Sequence, residues 1–215
     1  MPTPIQPRSR RGAKTPRGQK TRAAILAAAR EMCSSRWLDE LSLAELARAA
    51  GTTRASVLFQ FPEGWPDIAA QLLAEELDGA GRTAAALSAE RMNAEERLRK
   101  LLHYGLQRGE ELGALLPNLR AFKYFWGDVI DAVVAPQQAA IFEQLALAIR
   151  AAAPGRQSPA DLRNAAEALY TYALELACAP AFRRLSLEER AAKLDSAMSV
   201  ALKGLSKGRD ISSPG

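Results

Sequence analysis

The residues best suited to chemistry lie in one short segment, residues 41–61, with the sequence LSLAELARAAGTTRASVLFQF. Ser42 and Glu45 have the spacing of a capping box, which predicts that a helix begins there. Gly51 can end that helix, because glycine adopts a left-handed backbone at little cost, and Thr53 can cap a second helix. Two short helices joined by a glycine turn are typical of a DNA-binding helix-turn-helix, whose second helix enters the major groove. An ordinary helical hairpin would show the same pattern.

Residues that commonly catalyse reactions are scarce and far apart. His103 is the only histidine, and the two cysteines, Cys33 and Cys178, fall in separate helical patterns. We interpret the cysteines as small buried residues in a reducing compartment. The sequence contains no phosphate-binding loop, zinc-protease motif or nucleophile elbow. We therefore predict that the protein is not an enzyme and that it uses no cofactor and no metal.

The charge of the chain is concentrated at its N-terminal end. Residues 1–30 carry eight Arg or Lys side chains and no acid, whereas the net charge of the whole chain is only +5. The remainder is therefore slightly acidic. A basic arm on an acidic body favours contact with a polyanion at the N-terminal end, although a solvated tail has the same composition.

The elements that must position residues 41–61 are predicted to be helical. Hydrophobic residues make up 48% of the chain and aromatic residues only 6%, which favours helices over strands. The pattern predicts an all-α fold, with a three-helix helix-turn-helix domain over residues 19–65 and about six helices over residues 66–205. Residues 1–18 are predicted to be a disordered basic arm, and residues 206–215 a disordered tail.

The last two predicted helices, over about residues 159–178 and 186–204, have apolar residues at heptad-like spacing. Such helices can pair with those of a second copy in a four-helix bundle, or they can complete the core of their own chain. No apolar run approaches the roughly 18 residues of a membrane span. No apolar segment follows the basic N-terminus, as it would in a secretory signal. The sequence therefore predicts a cytoplasmic protein without membrane contact.

Three features together resemble the TetR family of bacterial transcriptional regulators. They are a first helix with the core AILAAAREM, the run LSLAELARAAGTTRASVLFQFP, and an all-helical remainder. The resemblance is specific over roughly residues 20–75 and concerns only the architecture beyond them. It implies a homodimer, built from the last two helices, that binds a double-stranded DNA operator. It also implies a repressor that a small molecule releases from the operator.

The resemblance also implies which residues contact DNA. The family's contact positions fall on Ser42, Thr53, Arg54, Ala55, Ser56, Phe59 and Gln60 of this chain. Arg54 can pair with guanine or a phosphate, Gln60 can bind adenine, and Phe59 can touch a thymine methyl group. Ser42 and Thr53 stand at helix N-termini, where hydroxyl and backbone N–H groups can hold phosphate oxygens.

Two positions depart from the family's pattern. Leu58 stands where a tyrosine commonly holds a phosphate, and Glu63 and Gly64 stand where the family has a lysine. Both departures remove a phosphate-binding group. The basic arm could replace them, so deletion of residues 1–17 is expected to weaken operator binding and flatten its dependence on salt.

An effector pocket would lie in the second domain, among apolar residues and a few polar ones. The candidates are His103, Tyr104, Phe122, Phe125, Trp126 and Tyr170. They favour an apolar or aromatic ligand, although aromatic residues at helical spacing also build ordinary cores. Two other functions stay open. One is a regulator of the same fold without a small-molecule effector, and the other is a helical protein–protein adaptor that has lost DNA binding.

Overall fold

The computed structural model describes residues 15–37, 40–153, 155 and 157–207, and these residues form helices and short connections without a strand. The helices, in chain order, are α1 (Pro16–Ser35), α2 (Leu43–Ala49), α3 (Arg54–Gln60), α4 (Trp65–Ala89), α5 (Ala94–Leu112), α6 (Leu115–Phe125), α7 (Gly127–Ala152), α8 (Pro159–Cys178) and α9 (Leu187–Lys207). The predicted all-α class, with three helices followed by six, is confirmed.

The caps expected from the sequence set the starts of the short helices. The Ser42 hydroxyl accepts a hydrogen bond from the backbone N–H of Glu45 at 3.2 Å, and the Thr53 hydroxyl accepts one from the N–H of Ser56 at 3.1 Å. Gly51 has a φ of +63°, the left-handed conformation that closes α2 at low cost for glycine. A cap of this kind contributes about 1 kcal/mol to helix stability.

Two predicted boundaries were wrong by a few residues. Helix α1 begins at Pro16, because the Thr15 hydroxyl caps it by accepting a hydrogen bond from the N–H of Gly18 at 3.1 Å. Residues 15–18, predicted as part of the disordered arm, therefore form the start of a helix. At the other end α9 continues to Lys207, through the first residues of the predicted tail. The rest of the predicted arm and tail, residues 1–14 and 208–215, lies outside the described residues.

Helices α1 to α3, which we call the reading unit, close around a small apolar centre. Its fully buried side chains include Ile25, Leu46, Val57 and Phe61. Trp37 is exposed, because it follows the end of α1 and no longer lies on the inner face of that helix. The centre is continuous with the core of the remaining helices, so the predicted domain boundary near residue 65 stays a prediction.

Helices α4 to α9, which we call the body, pack mainly through α4 on α7 and through α5 on α8. Helix α7 is the one helix among the described residues that is long and apolar enough to cross a membrane, with a mean hydropathy of 1.3. Asp131 and Glu143 interrupt its apolar residues, so no unbroken apolar run in the sequence reaches that length. A single such helix is weak support for a span, and α7 packs on α4, α5 and α8 through buried residues such as Ile130, Val134 and Ile149.

Helix α6 connects the body to the end of α1. The buried Asn118 side chain donates hydrogen bonds from Nδ2 to the carbonyl oxygens of Cys33, at 2.8 Å, and Arg36, at 2.7 Å. One turn later, the Phe122 ring stacks on Trp65 at a centroid distance of 5.8 Å. These contacts fix the last turn of α1 against the body.

Candidate nucleic-acid interface and interior cavity

Helix α3 presents one face to solvent and one to the reading unit. Val57 is buried, while Thr53, Arg54 and Ala55 are exposed. Phe59 is 63% exposed, far more than a large apolar ring in a core. The outer face of α3 therefore combines a hydroxyl, a guanidinium and an aromatic ring around a small residue.

The N-terminal turn of α1 lies beside this face and forms an open groove with it. Thr15, Arg17, Gly18 and Thr21 line the α1 side, and Ala55, Ser56, Phe59 and Gln60 line the α3 side. Hydroxyl groups and a guanidinium thus border the outer face of α3. These are the group types that bind phosphate oxygens.

Gln60 differs from the other predicted contact residues. Its side chain is only 9% exposed, and its backbone carbonyl accepts a hydrogen bond from Arg22 Nη1 at 2.9 Å. The Arg22 guanidinium also lies 4.1 Å from the centroid of the Phe61 ring and donates to Gln71 at 3.2 Å. This placement disagrees with a base-reading role for Gln60, because the residue forms part of the joint between α1, α3 and α4.

Neither of the two positions that depart from the family's pattern has a side-chain hydrogen-bond donor. Leu58 is partly exposed on α3, and Gly64 is buried with a φ of +70° at the start of α4. A Cβ atom at Gly64 would lie 3.0 Å from a methyl carbon of Leu43, so a larger residue there would also meet the reading unit. Neither position supplies a cation or a hydroxyl.

A small cavity of about 60 Å³ lies inside the body, between α4, α5, α7 and α8. Its lining is mostly apolar and contains no charged side chain. The lining residues are Ala80, Ala84, Leu101, Leu102, Tyr104, Gly105, Ile141, Gln144, Leu145, Tyr170, Ala173 and Leu174. The only polar groups are therefore two phenols and one amide.

Tyr104 and Tyr170 are the two predicted pocket residues that line this cavity. Burial raises the pKa of Tyr170 to about 12, with a smaller contribution from Cys178. The phenol is therefore neutral at physiological pH and can donate one hydrogen bond. Its ring is held edge-on against Phe142 at a centroid distance of 5.3 Å.

The other four predicted pocket residues lie elsewhere. His103 faces α9, where its Nε2 is 2.8 Å from Asp195 Oδ1. Phe122 is buried in the core and stacks on Trp126, with centroids 5.1 Å apart. Phe125 is 64% exposed. These residues and Trp126 do not line the cavity, so the six predicted pocket residues do not share it.

The heptad-like residues of the last two helices point into the body. Leu162 and Leu176 of α8 and Leu194 and Met198 of α9 are all buried. The outward face carries smaller residues and forms an open groove lined by Ala165, Ala168, Leu169, Tyr172, Lys193, Ser196, Ala197, Val200 and Ala201. Val200, one of these lining residues, is 68% exposed. The spacing thus belongs mainly to the chain's own core, and the outward face of α8 and α9 is a separate surface.

No protein-family profile matches the chain, and no curated protein sequence is similar to it. Solved structures do match. A protein from Rhodococcus sp. assigned to the TetR family of transcriptional regulators has a TM-score of 0.62 and 22% sequence identity, over 85% of this chain and 99% of its own. The chain has the TetR fold.

Two further matches were solved with small molecules. The TetR-like regulator LfrR from Mycobacterium smegmatis, in complex with proflavine, has a TM-score of 0.62 and 17% identity, over 85% of this chain and 96% of its own. RolR, in complex with resorcinol, has a TM-score of 0.57 and 16% identity, over 90% of this chain and 97% of its own. The structural match therefore covers nearly the whole length of these two proteins.

Sequence reasoning missed most of the residues that build the cavity in this TetR fold. Ala80 and Ala84 lie one turn apart on α4, and they face Gly105 on α5 and Ala173 on α8. Small residues at helical spacing on neighbouring helices are the signal that could have identified them. Among the described residues, no group of three or more His, Cys, Asp or Glu side chains is placed to hold a metal ion.

Proposed function

We propose that the protein is a DNA-binding transcriptional regulator whose helix α3 lies in the major groove of an operator. The observation that carries this proposal is the solvent-exposed outer face of α3, bordered by the hydroxyl groups and the guanidinium of the α1 N-terminus. In this arrangement Arg54 reads guanine or holds a phosphate, and Phe59 contacts a thymine methyl group. Ser42, Thr53 and Ser56 contact phosphates, Ala55 allows close approach to the base edges, and Gln60 is left out.

The proposed functional unit is a homodimer that uses the outward face of α8 and α9. Small residues such as Ala168 and Ala197 allow two pairs of helices to approach closely in a four-helix bundle. A two-fold dimer would present its two α3 helices to half-sites about 34–36 Å apart, one turn of DNA. We place this dimer in the cytoplasm, as the sequence predicts.

The cavity of the body is the proposed effector site, and repression is relieved when it is filled. A lining without charge disfavours an ionised ligand, because burying an unpaired charge is costly. Tyr170, Tyr104 and Gln144 can each bind one polar group of a small apolar or aromatic molecule. At about 60 Å³ the cavity is smaller than the roughly 150 Å³ that hold benzene in an engineered protein. A ligand must therefore push the lining helices apart.

The DNA-binding proposal is tested with duplexes that the native chain enriches from a random pool. Their affinity is measured by fluorescence anisotropy at several salt concentrations. Arg54→Ala should weaken binding by about 1–3 kcal/mol, or roughly 5- to 150-fold. The matched control is Arg163→Ala, which removes an exposed arginine of α8 paired with Glu167 and should leave the affinity unchanged.

A second candidate, a helical adaptor without DNA binding, is favoured by the lack of donors at Leu58 and Gly64. Failure of the native chain to enrich any duplex would support it.

The effector is tested with resorcinol, which is uncharged, and benzoate, an anion of similar size. Resorcinol should lower the affinity for DNA and benzoate should not. An equal effect of both would contradict the proposed cavity chemistry, and no effect of either would favour the regulator without a small-molecule effector.

A further inference from the structure

One carboxylate joins the reading unit to two helices that line the cavity. Glu76, on α4, has a side chain only 12% exposed, and each of its oxygens has an arginine partner. Oε1 accepts a hydrogen bond from Arg30 Nη1 of α1. Oε2 lies 3.0 Å from Arg108 Nη2 and 3.1 Å from Arg108 Nε of α5. The same Arg30 guanidinium also donates to Glu75 at 3.1 Å.

This cluster stands one helical turn from the cavity on both helices. On α4, Glu76 precedes the lining residue Ala80 by four positions, and on α5, Arg108 follows the lining residue Tyr104 by four. One turn of helix is about 5.4 Å long. A group that enters the cavity between Ala80 and Tyr104 therefore pushes α4 and α5 apart close to the Glu76–Arg108 ion pair.

The geometry of Glu76 makes it sensitive to that movement. Its two arginine partners come from different helices, so the carboxylate can hold both only while α1, α4 and α5 keep their present spacing. Donor–acceptor distances of 3.0–3.1 Å are already at the long side of a charge-assisted hydrogen bond. An increase of about 1 Å would break the contact.

Helix α1 carries the displacement towards α3. Two turns before Arg30, Arg22 donates to the carbonyl of Gln60, the last residue of α3, at 2.9 Å. Arg22 also contacts Gln71 on α4, so Arg22 and Arg30 both rest on the same body helix. A shift of α4 relative to α1 therefore reaches the C-terminal end of α3.

We propose that Glu76 is the positioning residue that couples the cavity to the reading unit, through Arg108 on the cavity side and Arg30 on the α1 side. This inference rests on the proposed function, in which the cavity holds an effector. Filling the cavity breaks or shifts the Arg108–Glu76 pair, and the Arg30–Glu76 pair transmits the change to α1. If Glu76 only stabilised the fold, the response of α1 to a filled cavity would not depend on Glu76.

The test replaces the effector by a side chain, so that it does not depend on the ligand's identity. Ala80→Leu adds an isopropyl group inside the cavity and should lower the hydrogen-exchange protection of backbone amides in α1. The expected decrease is at least about fivefold, the lower end of typical coupling energies. In Glu76→Gln and Arg108→Gln backgrounds the added effect of Ala80→Leu on α1 should disappear. Glu95→Gln, which removes an exposed ion pair with Arg99 on α5, is the matched control and should preserve it.

Each outcome decides the proposal. An equal effect of Ala80→Leu on α1 in the native, Glu76→Gln and Arg108→Gln backgrounds would overturn it, as would no effect in the native background. If Glu76→Gln does not fold, Arg108→Gln alone carries the comparison, because it leaves the Arg30–Glu76 pair in place. The affinity of the same variants for the enriched duplexes is measured in parallel. Failure of the native chain to bind DNA would reject the proposed function, while hydrogen exchange would still report the coupling.

Discussion

Replacing Asn118 should destabilise the protein more than any exposed cap residue does, because its amide satisfies two carbonyl groups at the end of α1. The last carbonyls of a helix have no partner within the helix. Here those of Cys33 and Arg36 accept hydrogen bonds from Asn118 Nδ2 at 2.8 and 2.7 Å, and Asn118 is buried. Losing a partner in such a place costs about 1–3 kcal/mol for each group. Because the contact to the Arg36 carbonyl is only partly buried, water can replace part of it, and we expect Asn118→Ala to cost about 2–4 kcal/mol.

Thermal unfolding followed by circular dichroism measures this cost. For a chain of this size, 1 kcal/mol corresponds to a decrease in Tm of about 2–4 °C, so Asn118→Ala should lower Tm by about 4–16 °C. Asn93→Ala is the matched control. Asn93 caps α5 at the surface by accepting a hydrogen bond from the N–H of Glu96 at 2.8 Å, and its loss should cost only about 1 kcal/mol. Equal effects of the two substitutions would refute the reasoning.

A change of pH separates the effect of the hydrogen bonds from the effect of side-chain volume. Asn118→Asp keeps the shape of the side chain but, when ionised, places a buried carboxylate against two carbonyl oxygens. Burial and these acceptors raise the folded-state pKa of the new carboxyl above its unfolded value of about 3.9. Stability is therefore lost as the pH rises through that unfolded value. We expect Asn118→Asp to be less stable than Asn118→Ala at neutral pH and to recover part of the difference below about pH 4.

Three other predictions test the remaining surfaces. Val200→Glu should convert the proposed dimer to a monomer in light scattering, because it places like charges across the outward face of α8 and α9, whereas Val200→Ala should leave the dimer intact. Residues 1–14 carry four basic residues. Their deletion should reduce the slope of log affinity for DNA against log salt concentration by about 0.9 for each phosphate that they neutralise. An unchanged slope would assign the phosphate contacts to the described helices. Burial raises the pKa of Cys33 to about 12 and also raises the pKa of Cys178. Neither thiol should therefore react with a thiol reagent at neutral pH until the chain unfolds. Rapid labelling of the native protein would contradict this prediction.

The helix starts were predictable because their causes are local. A cap depends on a side chain and a backbone N–H three residues away, so Ser42 and Thr53 identify helix starts without knowledge of the rest of the fold. The start of α1 was the exception. Thr15 caps it, but Pro16 and Gly18 gave that stretch the composition of a flexible arm. Proline is tolerated in the first turn of a helix, where its missing N–H has no partner to lose.

The position of Gln60 was less predictable because it depends on a long-range contact. Spacing along α3 places Gln60 one residue after Phe59, but the direction of its side chain is set by how α3 packs on α1 and α4. That packing is fixed by Arg22, which lies 38 residues earlier and bonds to the Gln60 carbonyl. No local pattern connects these two residues. A family position transferred by sequence alone therefore does not show that Gln60 is buried.

The cavity shows a different limit, because a cavity exists where side chains are small. The predicted pocket residues were large aromatic or ionisable ones, and four of these six fill the core or face the surface. Aromatic rings such as Phe122 fill space because burying them stabilises the fold. The space itself is created by Ala80, Ala84 and Ala173 on two different helices, together with Gly105 on a third. Each of these residues is ordinary in its own helix, and the cavity exists only because they meet across α4, α5 and α8.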